Sequence, residues 1–270
     1  MTTTPGATDS RSSTATASSS ESRRVNLILF EPTEVGASGD VCVGGSRAAH
    51  LRRVLGVSAG QTVRVGVLDG PLGVGVVHAV DDTSVHLRCT FEASAPPRPR
   101  VDLLLALPRP KVLRRLWAQL AALGVGRIIL TNAERVERNY FDTHVLTPEC
   151  YRPLLVEGLQ QARDTHLPCV SIHKQFKVLV EDELDSLFVG ALRILADPSG
   201  AQSAGAVAGG RRDDRVLLAV GPEGGWNDFE LRLLEAKGFQ AVGMGPRTLR
   251  TDTACVALLA LVHEAITLRS

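Results

Sequence analysis

Apolar and polar positions change their rhythm once along this chain. Between residues 24 and 92 the apolar residues come in short β-rich runs, "VNLILF", "DVCV", "QTVRVGVL", "GVGVVHAV" and "SVHLRCTF", separated by Gly, Asp and Pro turns. "RAAHLRRVLG" (47–56) interrupts them as the one helical segment. This pattern predicts a small β-barrel. From residue 101 onward, continuous apolar runs alternate with helical ones. "VDLLLAL" (101–107), "GRIIL" (126–130), "LRILAD" (192–197) and "VLLAV" (216–220) read as strands buried on both faces, which belong to a parallel sheet covered by helices. "VLRRLWAQLAALG" (112–124) places Leu113, Leu116, Trp117 and Leu120 on one helical face, with Arg114 and Arg115 off it. "ACVALLALV" (254–262) reads as a buried helix, too short to span a membrane.

The connecting segments set the boundaries. "EASAPPRPR" (92–100) is Pro-rich and stiff, a linker between two domains. Residues 1–22 hold 13 Ser or Thr and almost nothing apolar, and read as a disordered tail. "PSGAQSAGAVAGGRRDD" (198–214) reads as a flexible loop. The expected organisation is a tail (1–22), a β-barrel (23–95) and an α/β domain (96–270), with ligand sites at the carboxyl ends of the α/β strands.

Composition changes this picture little. A net charge of +1 names no partner. Its distribution is uneven: residues 23–115 carry 13 Lys and Arg against 8 Asp and Glu, whereas residues 116–270 carry 16 against 19. The front half fits either a polyanion-facing surface or an ordinary one with a basic bias. Arg23, Arg24, Arg52 and Arg53 are the candidates for nucleic-acid backbone contacts. The five cysteines stand singly, with no C-x-x-C and no histidine at zinc-finger spacing. Reduced thiols, a cytoplasmic setting and no metal are expected.

The chemistry concentrates in two turns. In "LLAVGPEGGWNDFELRLLEAKGF" (217–239) an apolar strand meets a Gly-Pro-Glu-Gly-Gly turn, and a helix follows. Asn227 can cap that helix with Glu230 as its capping-box partner, and Gly238 can end it. A polyphosphate loop needs stacked N–H donors and a lysine, but here Pro222 removes a donor and Glu223 adds a negative charge. The turn therefore suits a ligand that is not strongly anionic. "AVGMGPRTLRTDTACVALLALV" (241–262) supplies a second strand end, a Gly-Pro turn, Arg247 and Arg250, and then Thr-Asp-Thr opening a helix. Two such turns within one short stretch imply a shared crevice.

Together, "VGPEGGWNDFE…GF" and "MGPRTLRTDTA" resemble the paired C-terminal motifs of the bacterial 16S ribosomal RNA uridine-N3 methyltransferase family, within the SPOUT class. "HLRRVLGVSAGQTVRV" resembles that family's PUA-like domain, and "ALPRPKVLRRLWAQLAALGVGRIIL" its lead strand and helix, so the likeness spans residues 24–268. The resemblance implies a C-terminal trefoil knot, a rare exception to unknotted chains. It also implies S-adenosylmethionine as cofactor, a homodimer, the small ribosomal subunit as partner, and a barrel that helps to bind RNA. Carried over residue by residue, it assigns the cofactor to Leu195 and Ala196, to Gly221 and Glu223, and to Met244, Gly245, Arg247, Leu249 and Thr251.

For transfer to uridine N3, Arg250 is the candidate to stabilise the uracil anion, and Asp252 or Glu223 the candidate to take the proton. Capping and turn geometry remain alternative roles for both carboxylates. Two departures stand out: "LAALGVG" lacks the Lys and Glu of many members, and "VEGLQQARDTHLP" (156–168) replaces a Glu-Gln-Ser-Gly-Arg-x-Arg-like segment. The same chemistry at another RNA position, or a non-catalytic RNA-binding ribosome assembly factor, are the alternatives.

Overall fold

A computed structural model describes residues 27–54, 56–209 and 215–267; Arg23 and Arg24 lie outside them. The front part is a five-stranded sheet built from β1 (Ile28–Phe30), β2 (Asp40–Gly44), β3 (Thr62–Val67), β4 (Leu72–Val80) and β5 (Ser84–Phe91), in the order β1-β3-β4-β5-β2. β1 runs parallel to β3 and the other pairings are antiparallel. In β2, β3 and β5 buried and exposed positions alternate, as a sheet with one packed face requires. Helix α1 (Gly45–Arg53) sits within it and buries Ala48 and Leu51 in a core shared with Phe30, Val65, Val85 and Leu87.

The second part is a six-stranded, wholly parallel sheet. Its strands are β6 (Val101–Ala106), β7 (Val125–Thr131), β8 (Cys169–His173), β9 (Leu192–Ala196), β10 (Val216–Val220) and β11 (Gln240–Val242), in the order β11-β9-β10-β6-β7-β8. Every residue of the central strands β6 and β10 is buried, which accounts for their unbroken apolar runs. Helix α2 (Pro110–Ala122) buries Leu113, Leu116, Trp117 and Leu120, the stripe its sequence marks out. It packs against α3 (Pro148–Ala162) and α8 (Thr251–Thr267). The α2–α3 crossing is close enough to demand Gly158, because a Cβ there would lie 2.1 Å from the Ala118 carbonyl oxygen. An irregular helical stretch follows β8, with α4 (Phe176–Val178), a π turn (Leu179–Glu183) and α5 (Leu184–Leu187); α7 (Asp228–Ala236) packs against the π turn.

One expectation is corrected. Residues 198–209, the described part of the segment read as a flexible loop, are not irregular throughout: Ser203 caps a short helix, α6 (Ala204–Ala208), by accepting from Ala206 N–H, and α6 packs on α8. Gln202 also forms a parallel bridge with Val242. The segment 156–168 docks the two parts together. Leu27 N–H donates to Gln160 O (3.3 Å), Asp69 N–H to Thr165 O (2.8 Å), and Thr165 Oγ1 to Gly70 O (2.7 Å). Arg163 ends α3 in the left-handed region at φ 59°, which turns the chain toward the barrel. Arg152 of α3 grips both carboxylate oxygens of Glu31.

Candidate active site

Three loops leave the carboxyl ends of β9, β10 and β11 and enclose one cavity of about 290 Å³, close to the lower bound for small-molecule sites. Ala196, Asp197 and Ser199 come from the first loop, Gly221, Pro222, Glu223, Gly225 and Trp226 from the second, and Met244, Gly245, Arg247, Leu249 and Thr251 from the third. Val220, Leu231, Val242 and Leu258 give it an apolar floor.

Each loop is held by its neighbours. Asp197 Oδ1 accepts from Ser199 N–H (2.7 Å) and Ser199 Oγ (2.8 Å), which folds the first loop on itself. Gly200 then crosses the backbone after β11 so closely that a Cβ would lie 2.5 Å from the Val242 carbonyl carbon. Gly243 N–H donates to Gln202 O (2.9 Å). In the second loop Gly225 N–H closes the turn on Pro222 O (2.8 Å), with Gly225 at φ 75°. The capping box forms as its spacing predicts, with Glu230 N–H donating to Asn227 Oδ1 and Asn227 N–H to Glu230 Oε2, each at 2.8 Å. Gly238 ends α7 at φ 81°. The third loop bends at Gly245, φ 93°, and Thr251 Oγ1 reaches the Gly221 carbonyl at 3.5 Å.

Sequence reasoning passed over two contributors, the loop after β7 and Arg109. The loop after β7 fastens the glycine turn twice: Glu134 N–H donates to the buried Glu230 carboxylate (2.7 Å), and the Arg135 guanidinium donates to the Gly224 carbonyl. Arg135 lies over Gly224, where a Cβ would approach its Cδ to 3.0 Å. At the start of α2, Arg109 N–H donates to Glu223 Oε1 (3.2 Å), a helix-terminal position that favours an anion. Trp226 is buried against Phe176 with ring centroids 5.3 Å apart, and its indole N–H has no partner among the described residues. That N–H stands beside Gly221, where a Cβ would be 3.0 Å away. A local signal existed only for Trp226, which adjoins the turn in sequence.

Of the sequence-derived cofactor residues, all but Leu195 line the cavity; Leu195 is fully buried in β9. Arg250 is exposed and adjoins the lining residues Leu249 and Thr251 without lining the cavity itself. Asp252 is engaged elsewhere, accepting from Arg115 of α2 at 2.9 Å. In the front part, whose end strands β1 and β2 do not pair among the described residues to close the expected barrel, Arg52 is tied to Asp82, whereas Arg53 is exposed. His173 Nδ1 lies 3.0 Å from Glu183, and His166 is buried beside the linker, both away from the cavity. All five thiols are free, and burial pushes the Cys89 thiol up to about 11. Among the described residues no three His, Cys, Asp or Glu side chains gather as a metal site, and no helix is long and apolar enough to cross a membrane.

The arrangement offers an apolar slot rimmed by backbone groups at strand ends, with the carboxylates of Asp197 and Glu223 among its lining and no cluster of cationic donors at its glycine turn. Such a slot fits a flat base and an uncharged or cationic tail better than a polyphosphate. The Trp226 N–H and the Gly221 cradle are features that a bound group would engage.

Residues 95–263 match the family described as the RNA methyltransferase domain. The chain is 32% identical over 254 residues to a ribosomal RNA small subunit methyltransferase E of Treponema pallidum, across 88% of this chain and 90% of that protein. It is 25% identical to the protein of the same name from Mycobacterium bovis, across 88% and 91%. Among solved structures, it resembles a ribosomal RNA small subunit methyltransferase E from Neisseria gonorrhoeae bound to S-adenosylmethionine (TM-score 0.71, 19% identity, 87% and 95% covered). It also resembles a methyltransferase from Legionella pneumophila in complex with the same cofactor (TM-score 0.70, 20% identity, 90% and 98% covered). At these identities the two structures establish the shared fold.

Proposed function

The chain belongs to the RNA methyltransferase family, and we propose that it transfers a methyl group from S-adenosylmethionine to N3 of a uridine in 16S ribosomal RNA of the small subunit. The observation that carries this reading is the single cavity where the loops after β9, β10 and β11 meet, lined by both glycine-rich motifs.

The donor group, when bound, supplies an electrophilic methyl on a sulfonium. Ala196, Gly221, Met244, Gly245, Arg247, Leu249 and Thr251 are the residues proposed to hold it, with Leu195 acting through its strand rather than its side chain. Glu223, exposed at the rim, offsets the positive sulfur. Asp197, Trp226 and Arg135 join the set as residues that shape the same wall. Uridine N3 carries a proton at neutral pH and attacks only once that proton leaves. The proposed role of Arg250 is to present two guanidinium donors to the base edge and stabilise the uracil anion. Glu223 is the preferred proton acceptor over Asp252, because Glu223 lines the cavity whereas Asp252 does not and pairs with Arg115. Holding base and methyl in line supplies much of the remaining acceleration.

The same proposal covers the finer architecture. The proposed division is a PUA-like barrel at residues 23–95 and a knotted SPOUT domain at residues 96–270; the tail read at 1–22 lies outside the described residues. The knot is supported by the path after β11, which crosses under Gly200 at backbone contact and returns to pack α8 on β10 and β6 at the sheet centre. A homodimer is supported by the apolar side chains that α8 leaves exposed, Ala260 and Leu261. The basic bias of the front half supports RNA contacts by Arg23, Arg24, Arg52 and Arg53. A ribosomal target and free thiols suit the cytoplasm.

The test pairs binding with turnover. Calorimetry should show S-adenosylmethionine binding to both the parent protein and Arg250→Ala, with methylation lost only in the variant. A normal rate in Arg250→Ala would remove Arg250 from the mechanism, and no binding by the parent would overturn the cofactor assignment.

A further inference from the structure

A second cavity, of about 510 Å³, opens along one face of the edge strand β8 and shares no lining residue with the loop-lined one. Its walls come from β7 between Gly126 and Ile129, from Cys169, Ser171 and His173 along β8, from Arg215 just before β10, from the Pro-rich linker, and from the irregular helical stretch at Glu183, Leu187 and Phe188. Three guanidiniums meet there, those of Arg98, Arg127 and Arg215.

They are held differently. Arg215 sits on the fully buried Asp102, with Nη2 2.7 Å from both carboxylate oxygens and Nε 3.2 Å from one, so it contributes field more than donors. Arg127 spends one N–H on the Leu187 carbonyl (3.0 Å) and lies over the Phe188 ring at 5.5 Å. That fixes the plane of its guanidinium and leaves most of its five donors unengaged among the described residues. Arg98 is exposed and has no side-chain partner among the described residues. The stiff linker holds it at the rim.

The facing wall is polar and oriented. Ser171 and His173 alternate onto one face of the edge strand β8 and line the cavity. Glu183 fixes the His173 ring through Nδ1 (3.0 Å), which leaves Nε2 3.1 Å from Ser171 Oγ. His166, 5% exposed, places Nε2 2.6 Å from the Pro96 carbonyl, so that nitrogen donates. Its Nδ1 is buried without a hydrogen-bond partner. Three guanidiniums thus outnumber the carboxylates of Glu183 and Asp102, and the Ser171 hydroxyl lines the same cleft as Arg127.

We propose that this cleft binds a phosphate group through Arg127 and Arg98, joined by the Ser171 hydroxyl. A phosphate oxyanion matches the guanidinium fork and accepts from the Ser171 hydroxyl once that proton turns away from His173 Nε2. The phosphate belongs either to an RNA backbone, which rests on the function proposed above, or to a free nucleotide, which does not.

The experiment titrates the full-length protein with inorganic phosphate, uridine 5′-monophosphate and a 5′-hydroxyl RNA hairpin, comparing the parent with Arg127→Gln and Arg98→Gln. S-adenosylmethionine binding is measured in parallel. If the phosphate is an RNA backbone group, Arg127→Gln weakens hairpin binding about tenfold and lowers the salt dependence by roughly one phosphate contact. If it is a free nucleotide, the nucleotide and phosphate titrations weaken and the hairpin titration does not. Cofactor affinity stays unchanged in either case. Should Arg127→Gln melt early, Arg98→Gln carries the test alone, because that side chain supports nothing in the fold. Equal affinity of parent and variants for all three probes, or no binding of any probe by the parent, would overturn the proposal. Loss of cofactor binding by the parent would instead count against the methyltransferase reading.

Discussion

Asp252 Oδ2 accepts a hydrogen bond from Arg115 Nη2 at 2.9 Å and joins the first turn of α8 to the middle of α2. A carboxylate turned to Arg115 and absent from the cavity lining is badly placed to take a proton from a base bound at the cavity mouth. Asp252→Asn should therefore keep more than about a tenth of the methylation rate, whereas Arg250→Ala should fall about a hundredfold or more, the usual cost of removing an oxyanion donor. Arg115 is 56% exposed, so losing the pair should cost about 1 kcal/mol of stability or less. Single-turnover methylation and thermal melts of both variants check this.

Arg135 clamps the glycine turn through the Gly224 carbonyl from a separate loop. Its removal frees the wall that carries Glu223 and Gly225 without touching the apolar floor. Arg135→Ala should weaken S-adenosylmethionine binding by roughly tenfold, about 1.4 kcal/mol, with a smaller change in rate at saturating cofactor. Arg135→Lys should lie between. Calorimetry and a KM-against-kcat comparison separate this positioning role from a direct role in transfer.

Two glycines report on different levels of the structure. Gly158→Ala forces a methyl against the Ala118 carbonyl at the α2–α3 crossing, and overpacking of this kind costs about 1–3 kcal/mol. It should lower the melting temperature and leave cofactor affinity intact. Gly200→Ala pushes a methyl into the backbone after β11, where two cofactor loops cross. It should abolish S-adenosylmethionine binding even where the protein still folds.

The Arg152 guanidinium holds the Glu31 carboxyl below its ordinary value of 4.5. A carboxyl with a depressed folded value contributes stability that is present above about pH 4.5 and is lost as pH falls through the folded value. Acid should therefore loosen the barrel from the α/β part. Glu31→Gln should flatten that limb of the stability profile, measured by melts between about pH 3 and 7.

Much of this was legible locally. The alternation in "QTVRVGVL" and "SVHLRCTF", the stripe Leu113, Leu116, Trp117 and Leu120, and the Asn227–Glu230 capping box all follow from periods of a few residues. Helix α6 was hidden by its Gly- and Ser-rich surroundings, which disfavour helix until packing against α8 supports it. β8 is short and lies at the sheet edge, with Cys169 and Ile172 exposed, so "CVSIH" lacks the unbroken apolar run of the central strands. The contacts of Arg135 and Arg109 with the glycine turn join residues 89 and 114 positions apart, and no periodicity encodes them. The docking role of residues 160–167 was invisible for the same reason: its partners, Asp69 and Gly70, lie in the barrel.

The central claim is methyl transfer to uridine N3 in small-subunit RNA. The most direct test incubates the purified protein with labelled S-adenosylmethionine and small ribosomal subunits from cells lacking its gene, then digests the RNA for mass spectrometry. The account predicts new 3-methyluridine in 16S RNA, at one position on mapping. Label on another base, or no transfer despite bound cofactor, would contradict it.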